Sequence, residues 1–235
     1  MAKKLQRRVE NRKIVYTTEH WASLERLRLK AIKIMEALKR FHLEPFVHGS
    51  IARGDITQKS DIDVVIPYQV SSFLVETALA KTRLQVNKRL VIQATPTYAM
   101  KAYIEINENT SISFPLMKMR KVEREFYRFG GEVSAKNLRD GFRAPGVDKR
   151  LMLINPTADG HVENTIVGHE ECTSKQLGIS VETVLDRVHA LLRRDEVGRT
   201  GVFIEKELSH DETFEKIMKK LAYRNPAVRR RLKAS

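Results

Sequence analysis

The stretch from Val47 to Ile66 constrains this chain more than any other part of its sequence. A Gly49-Ser50 pair opens a short segment, ten residues follow Ser50, and then Asp61 and Asp63 alternate with aliphatic residues. This alternation predicts a β-strand whose two aspartates leave the same face of a sheet. Two carboxylates held side by side repel each other unless cations lie between them, and hard divalent ions bind carboxylate and phosphate oxygens together.

These residues carry a family resemblance. Gly49-Ser50, the ten-residue spacer and Asp61-Ile62-Asp63-Val64 resemble the signature of the DNA polymerase β nucleotidyltransferase superfamily. The fuller string Gly-Ser-x-Ala-Arg-Gly, followed by Ser-Asp-Ile-Asp, is similar to its small prokaryotic members, the minimal nucleotidyltransferases. The rest of the chain resembles, more loosely, a group of archaeal proteins identified as nucleotidyltransferases.

The resemblance implies an activity and a metal site. The activity is metal-dependent transfer of a nucleoside monophosphate from a nucleoside triphosphate, such as ATP, to an acceptor hydroxyl of RNA, a protein or a small molecule. The resemblance also implies two Mg²⁺ ions, for which Mn²⁺ can substitute, held by Asp61, Asp63 and a third carboxylate on a neighbouring strand.

Our candidate for the third carboxylate is Glu105, in the otherwise apolar stretch from Tyr103 to Ile106. A charge inside an apolar strand is costly unless it is paired or bound to a metal. Most members of the superfamily have an aspartate at this place. The alternative is that Glu105 lies on the solvent face of an amphipathic strand, beside Tyr103.

Gly49 and Ser50 are expected to bind the triphosphate. Glycine lets the backbone approach closely, the N–H groups that begin a helix over 50–57 form an anion site, and the Ser50 hydroxyl can donate to a phosphate oxygen. Arg53 lies one helical turn beyond Ser50 and, by the resemblance, also reaches the triphosphate; its alternative role is a surface ion pair with Asp55. Ser60 is a further candidate for nucleotide binding.

The composition indicates a folded protein that contacts polyanions. The chain has 235 residues, of which 42% are hydrophobic, enough to form a core. Its net charge of +14 favours nucleic acid or nucleotides as partners, and a merely solvated basic surface is the alternative. The single cysteine, Cys172, fits the reducing cytoplasm where we expect the protein. No apolar run approaches the ~18 residues of a membrane span, so no membrane contact is expected.

Helix and strand alternate along the first half of the chain and predict an α/β (α+β) fold. We expect a nucleotidyltransferase domain over residues 1–117, with a mixed sheet, flanking helices, a basic arm at 1–16 and a basic N-terminal helix. A helix over 117–129 and a loop-rich stretch at 139–160 would begin a C-terminal region of residues 118–235. The strands of the first domain are predicted at 46–47, 61–66, 90–94, 98–106 and 111–116.

The segment 173–194 resembles a helix-turn-helix. It contains a helix end and a turn at Gly178, a capping Ser180 and then apolar residues at helical spacing. A wing-like hairpin over 196–204 would make the C-terminal region winged-helix-like. The same arrangement also serves as a plain packing unit, so an alternative function is a non-catalytic, nucleotide-sensing protein that binds nucleic acid through this module. The basic cluster at 229–233 either contacts phosphates or is a frayed, solvated end.

Overall fold

The computed structural model describes residues 11–82, 84–198 and 201–234. The chain forms two compact units, each assembled from three segments. The first unit holds the described residues of Met1–Ile32, Val47–Ser60 and Arg124–Thr200, and the second those of Lys33–Phe46, Asp61–Glu123 and Gly201–Ser235. Each unit takes segments from both sides of residue 118, the boundary predicted from the sequence. Residues 1–10 of the predicted basic arm, and residues 199–200 of the predicted wing, lie outside the described residues.

The strands are short, and those of the described residues belong to two sheets. In the described residues they are β1 (Arg12–Val15), β2 (Phe46–His48), β3 (Ile62–Val65), β4 (Lys88–Gln93), β5 (Lys101–Asn107), β6 (Thr110–Pro115), β7 (Glu132–Ser134), β8 (Gly146–Val147), β9 (Met152–Thr157), β10 (Gly160–Thr165) and β11 (Ile204–Glu207). The five strands predicted for the first domain are present as β2 to β6, with ends shifted by a few residues.

The helices differ widely in length, and none formed by the described residues combines the length and apolar character needed to cross a membrane. They are α1 (Thr18–Lys39), α2 (Ser50–Arg53), α3 (Ser72–Lys81), α4 (Lys121–Gly130), α5 (Ala135–Arg139), α6 (Glu170–Leu177), α7 (Val181–Val197), α8 (Phe214–Arg224) and α9 (Pro226–Lys233). The predicted helix over 117–129 is present as α4.

The second unit is built on a mixed sheet in which β11, β4, β5, β6 and β3 are neighbours in that order. Strands β3 and β6 are parallel, and the other pairs are antiparallel. Val64, Ile112 and Ile104 lie side by side on one face of this sheet and are fully buried. Helix α8 packs on that face, where the ring centroids of Phe214 and Phe114 are 5.7 Å apart. The mixed sheet with flanking helices confirms the predicted fold class.

The first unit contains a second, antiparallel sheet with the strand order β1-β10-β9-β8. The stretch predicted to be loop-rich, 139–160, is mostly turns and irregular structure, but β8 and β9 lie within it. Two glycines of this stretch allow close backbone packing. A Cβ atom on Gly160 would lie 1.9 Å from the Ile14 carbonyl oxygen, and one on Gly146 would lie 2.5 Å from the Gly131 nitrogen.

Helices α6 and α7 occupy the segment predicted to be helix-turn-helix-like, with Gly178 in the left-handed conformation between them. Val184, Val188 and Leu191 of α7 are buried in the core of the first unit. The predicted wing is wrong, because α7 continues to Val197 and β11 pairs with β4 in the sheet of the second unit.

The basic cluster at 229–233 is part of helix α9, so the alternative of a frayed end is wrong. Arg231 is 8% exposed. Its Nη2 donates to the Lys118 carbonyl oxygen at 2.7 Å, its Nε donates to the Thr97 carbonyl oxygen at 2.9 Å, and Nη2 also lies 3.2 Å from the carboxylate of Glu123. These contacts hold helix α9 against the rest of the second unit.

Candidate active site

Asp63, Ser111 and Glu105 lie in one row across three neighbouring strands of the second unit. Asp63 of β3 and Glu105 of β5 are each the register partner of Ser111 in β6. All three side chains therefore leave the same face of the sheet, opposite to the face that carries Ile112. They are half-buried, and the Ser111 hydroxyl donates to Asp63 Oδ1 at 3.1 Å. Lys88 of β4 continues the row beside Glu105.

The row differs in one respect from what the resemblance implied. One neighbour of β3 is β6, and the residue opposite Asp63 on it is Ser111 rather than a carboxylate. Glu105 lies one strand farther away, so two strand spacings of ~4.8 Å separate its Cα atom from that of Asp63. Nevertheless, Glu105 leaves the same face of the sheet as Asp63. We call this face the carboxylate face.

Asp61 is exposed and lies immediately before β3, two residues from Asp63. Within residues 11–82, 84–198 and 201–234, no group of three or more His, Cys, Asp or Glu side chains is positioned to hold a metal ion. Asp61 and Asp63 nevertheless provide the hard carboxylate oxygens that Mg²⁺ and Mn²⁺ bind, and Mg²⁺ commonly takes only one or two protein carboxylates beside substrate phosphates. The residues present therefore fit such an ion bound together with a triphosphate.

In the first unit, Gly49 forms the turn that connects β2 to α2. Its backbone has φ 84° and ψ −144°, a conformation that is strained for residues with a side chain. The Gly49 N–H donates to the Gly131 carbonyl oxygen at 3.0 Å. A Cβ atom at this position would meet nothing within 4 Å, so the backbone conformation, rather than crowding, requires glycine. The turn is open above Gly49, as close approach of a ligand to the backbone requires.

The structure brings together the hydroxyl groups of Ser50 and Ser60, both predicted to bind nucleotide. Ser50 Oγ donates to Ser60 Oγ at 3.0 Å, and Ser60 Oγ also accepts from the Thr57 N–H at 2.9 Å. Helix α2 is shorter than the predicted 50–57, because Gly54 adopts φ 102° and ends it. The residues from 54 to 60 therefore form a loop closed by the two serine side chains.

Arg53 is buried, with 6% of its surface exposed, rather than lying on the surface. Its Nε and Nη2 atoms donate to the two carboxylate oxygens of Asp55, each at 3.0 Å, and Nη1 donates to the Gly130 carbonyl oxygen at 2.5 Å. The ion pair with Asp55 is thus present, but buried and bidentate. The predicted contact of Arg53 with a triphosphate stays a prediction, and three of its five N–H donors are already engaged in these bonds.

Arg28 is a supporting residue that the sequence reasoning missed. It is 7% exposed, and its guanidinium donates to the carbonyl oxygens of Ile51 and Ala52 at 3.0–3.2 Å. These carbonyl groups belong to α2, which is too short to use them internally. Burial, with a contribution from the charge of Arg143, lowers the pKa of Arg28 to about 10. Helical spacing indicates that Arg28 is buried, because it lies four residues after Leu24 and three before Ala31, which are both buried in α1.

Comparison with known proteins gave one match. Residues 30–128 match the family model described as Nucleotidyltransferase domain. This range contains Gly49, Ser50, Asp61, Asp63 and Glu105. No curated protein matches the chain, and no solved structure matches it. Residues 30–128 therefore form a nucleotidyltransferase domain of the DNA polymerase β-type superfamily.

Proposed function

We propose that this protein is a metal-dependent nucleotidyltransferase that moves a nucleoside monophosphate from a nucleoside triphosphate to an acceptor hydroxyl. The observation that carries the proposal is the carboxylate face of the second unit, with Asp63 and Glu105 in one row within a nucleotidyltransferase domain. RNA, a protein and a small molecule are the candidate acceptors. The net charge of +14 favours a polyanion among them.

In this proposal Asp61 and Asp63 hold one or two divalent ions, with Glu105 on the side of the acceptor hydroxyl. Bound there, such ions stabilise the charge that develops on the attacking and leaving oxygens of an in-line displacement. The acceptor oxygen forms a bond to the α-phosphorus, the bond from that phosphorus to the pyrophosphate oxygen breaks, and the hydroxyl proton passes to a base or to water. Ser111 keeps Asp63 in place by donating a hydrogen bond to it.

Gly49, Ser50 and Ser60 are proposed to bind the triphosphate. Ser60 Oγ already accepts two hydrogen bonds and can still donate its own proton, while Ser50 can exchange Ser60 for a phosphate oxygen as its acceptor. Arg53 and Arg28 act as positioning residues, because they bind the backbone and the acidic neighbour of the short helix that follows Gly49.

The test is label transfer. The protein, Mg²⁺ and a cell extract of the source organism are incubated with each nucleoside triphosphate, labelled either at the α- or at the γ-phosphate. We expect a labelled product only from α-label, and its loss when a chelator removes the metal. The variant Asp61→Asn/Asp63→Asn should lose transfer while keeping its melting temperature, whereas Asp140→Asn/Asp195→Asn, which removes two exposed carboxylates elsewhere, should keep both.

The alternative of a non-catalytic nucleotide sensor predicts triphosphate binding with no transfer under any of these conditions. Its nucleic-acid-binding module would be α6 and α7. The first turns of α7 expose Glu182 and Asp186, and Arg187 is stacked 4.8 Å from the ring centroid of Phe126. Acidic residues in the first turns of a recognition helix repel the phosphates of nucleic acid. Equal transfer by the wild type and by Asp61→Asn/Asp63→Asn would overturn the enzymatic proposal.

A further inference from the structure

Helices α8 and α9 carry a strongly basic surface. Between residues 216 and 234 the chain has no acidic residue. Seven of its cations in this range are exposed, whereas Arg231 is buried against Glu123. The exposed cations are Lys216, Lys219, Lys220, Arg224, Arg229, Arg230 and Lys233. A cluster of one sign and this size attracts a polyanion.

An aromatic ring lies among these charges. Tyr223 is 83% exposed, the most exposed of the large hydrophobic residues in the described part of the chain. At 100° per residue, its position on α8 falls between those of Lys219 and Lys216, and Arg229 Nη1 donates to its carbonyl oxygen at 3.4 Å. A ring that is exposed between cations is the arrangement on which an unpaired base stacks while its phosphates meet the charges.

A pocket of about 370 Å³ adjoins this surface, between α8 and the edge strand β11. One wall is apolar and consists of Ile204, Ile217 and Leu221. Lys220 and Arg224, which belong to the basic surface, line the same pocket together with Lys206 and one acidic residue, Glu205. Three cations against one carboxylate leave the lining positive, and a positive lining beside an apolar wall matches one nucleotide, whose base is planar and whose phosphate is anionic.

We propose that the surface of α8 and α9, together with this pocket, binds single-stranded nucleic acid. Duplex is disfavoured because its bases are stacked on each other and cannot reach Tyr223. An anionic membrane is disfavoured because the apolar side chains of these helices, including Phe214, Ile217 and Val228, are buried and leave no apolar face to insert. Helix α8 packs on one face of the sheet, whereas Asp63 and Glu105 leave the opposite face. Binding of nucleic acid to α8 and α9 therefore does not use the proposed catalytic carboxylates.

The experiment measures binding of a fluorescent single-stranded oligouridylate by the full chain at several salt concentrations. Lys220→Ala/Arg224→Ala should weaken binding and reduce the slope of log Kd against log salt concentration by about 1.4, which corresponds to two phosphate contacts on a single strand. Tyr223→Ala should weaken binding by about 5- to 150-fold, the value of one stacked base. Binding to a duplex of equal length should be insensitive to Tyr223→Ala.

Two matched controls separate this surface from the general charge of the chain. Arg193→Ala/Arg194→Ala removes two exposed cations from α7, and Phe73→Ala removes a ring that is 76% exposed on α3. Both should bind the oligonucleotide as the wild type does. Equal weakening by Arg193→Ala/Arg194→Ala, or no weakening by Lys220→Ala/Arg224→Ala, would overturn the proposal. So would failure of the wild type to bind the oligonucleotide while it binds phosphatidylserine vesicles through Lys220 and Arg224.

This binding measurement is independent of the transfer assay. Asp61→Asn/Asp63→Asn should bind the oligonucleotide as tightly as the wild type, since the carboxylates lie on the other face of the sheet. Loss of transfer in that variant and loss of binding in Lys220→Ala/Arg224→Ala therefore report on two different sites, and either result can fail without the other.

Discussion

Asp63 and Glu105 are register partners of the same residue, Ser111, and so project to the same side of the sheet from strands that are not neighbours. The distance between their Cα atoms, about two strand spacings of ~4.8 Å, is large for two short acidic side chains. A glutamate has one methylene more than an aspartate and reaches farther across the strand between them. Ser111 is small and leaves that space open.

This relationship predicts a role for the length of the Glu105 side chain. Glu105→Gln should lower the rate of nucleotidyl transfer by about tenfold or more, equivalent to ~1.4 kcal/mol in the barrier. Glu105→Asp should also be slow, because its carboxylate is too short to reach. Single-turnover transfer from an α-labelled triphosphate measures both. Ser111→Asp in the Glu105→Gln background places a carboxylate beside Asp63 and should restore part of the rate. Wild-type rates in Glu105→Gln would exclude Glu105 from the site.

The turn at Gly49 predicts a cost for any side chain there. Because the residue has positive φ without crowding, Gly49→Ala should lower the free energy of unfolding by about 1–3 kcal/mol through backbone strain. Gly201→Ala is the matched control, since a Cβ atom there also meets nothing within 4 Å and no positive φ is required. Urea denaturation measures both variants. Equal stability of the two variants would show that the strain at Gly49 is absent in solution.

The buried pair of Arg53 and Asp55 predicts a large effect of removing one partner. Arg53→Met leaves the carboxylate of Asp55 buried without its guanidinium, and it should lower the free energy of unfolding by about 3–5 kcal/mol. The exposed pair of Lys39 and Glu44, with 3.6 Å between Lys39 Nζ and Glu44 Oε2, gives the comparison: Lys39→Met should cost less than about 1 kcal/mol. Chemical denaturation followed by circular dichroism distinguishes the two. A small effect of Arg53→Met would contradict the burial of the pair.

Glu215 predicts a dependence of stability on pH. Burial raises the pKa of its carboxyl group, but hydrogen bonds from the Ser72 N–H at 2.9 Å and the Ser72 hydroxyl at 2.7 Å outweigh it, so the net shift is downward. The stability that Glu215 contributes is therefore present above its unfolded pKa of about 4.3 and is lost as the pH falls through its lower folded pKa.

Glu215→Gln should accordingly be less stable than the wild type at neutral pH, and the difference should narrow as the pH falls towards about 3. Glu108→Gln removes a carboxylate that is exposed, and it should follow the wild-type curve throughout. Urea midpoints measured across this pH range test the prediction. A difference between Glu215→Gln and the wild type that stays constant with pH would contradict it.

Local patterns in the sequence predicted the elements whose residues repeat with a clear period. The alternation at Asp61 and Asp63 predicted β3, and the predicted basic N-terminal helix is present as α1. The order of the strands is a different matter, because no local pattern encodes it. That Ser111, rather than an acidic residue, lies opposite Asp63 follows from the pairing of β3 with β6, which joins segments separated by almost fifty residues.

The same reasoning explains the predictions that failed. A wing was predicted at 196–204, but Ile204 pairs with Gln93, and such a distant partner leaves no trace in the sequence around it. Arg231 was expected to be solvated because its hydrogen-bonding partners, among them the carboxylate of Glu123, are more than a hundred residues away in the chain. Charges and glycines are thus the residues whose roles were hardest to predict, since their partners decide them.

The buried guanidinium of Arg28 bears on attempts to redesign helix α1. A designer working from hydrophobic periodicity would place leucine at position 28, because its neighbours at 24 and 31 are apolar and buried. That choice would remove both hydrogen bonds of Arg28 to the Ile51 carbonyl oxygen, just after the Gly49 turn, whereas the Ala52 carbonyl oxygen would keep its bond from the Ala144 N–H at 3.1 Å. The redesigned helix would then pack well and still destabilise the segment after Gly49, on which nucleotide binding is proposed to depend.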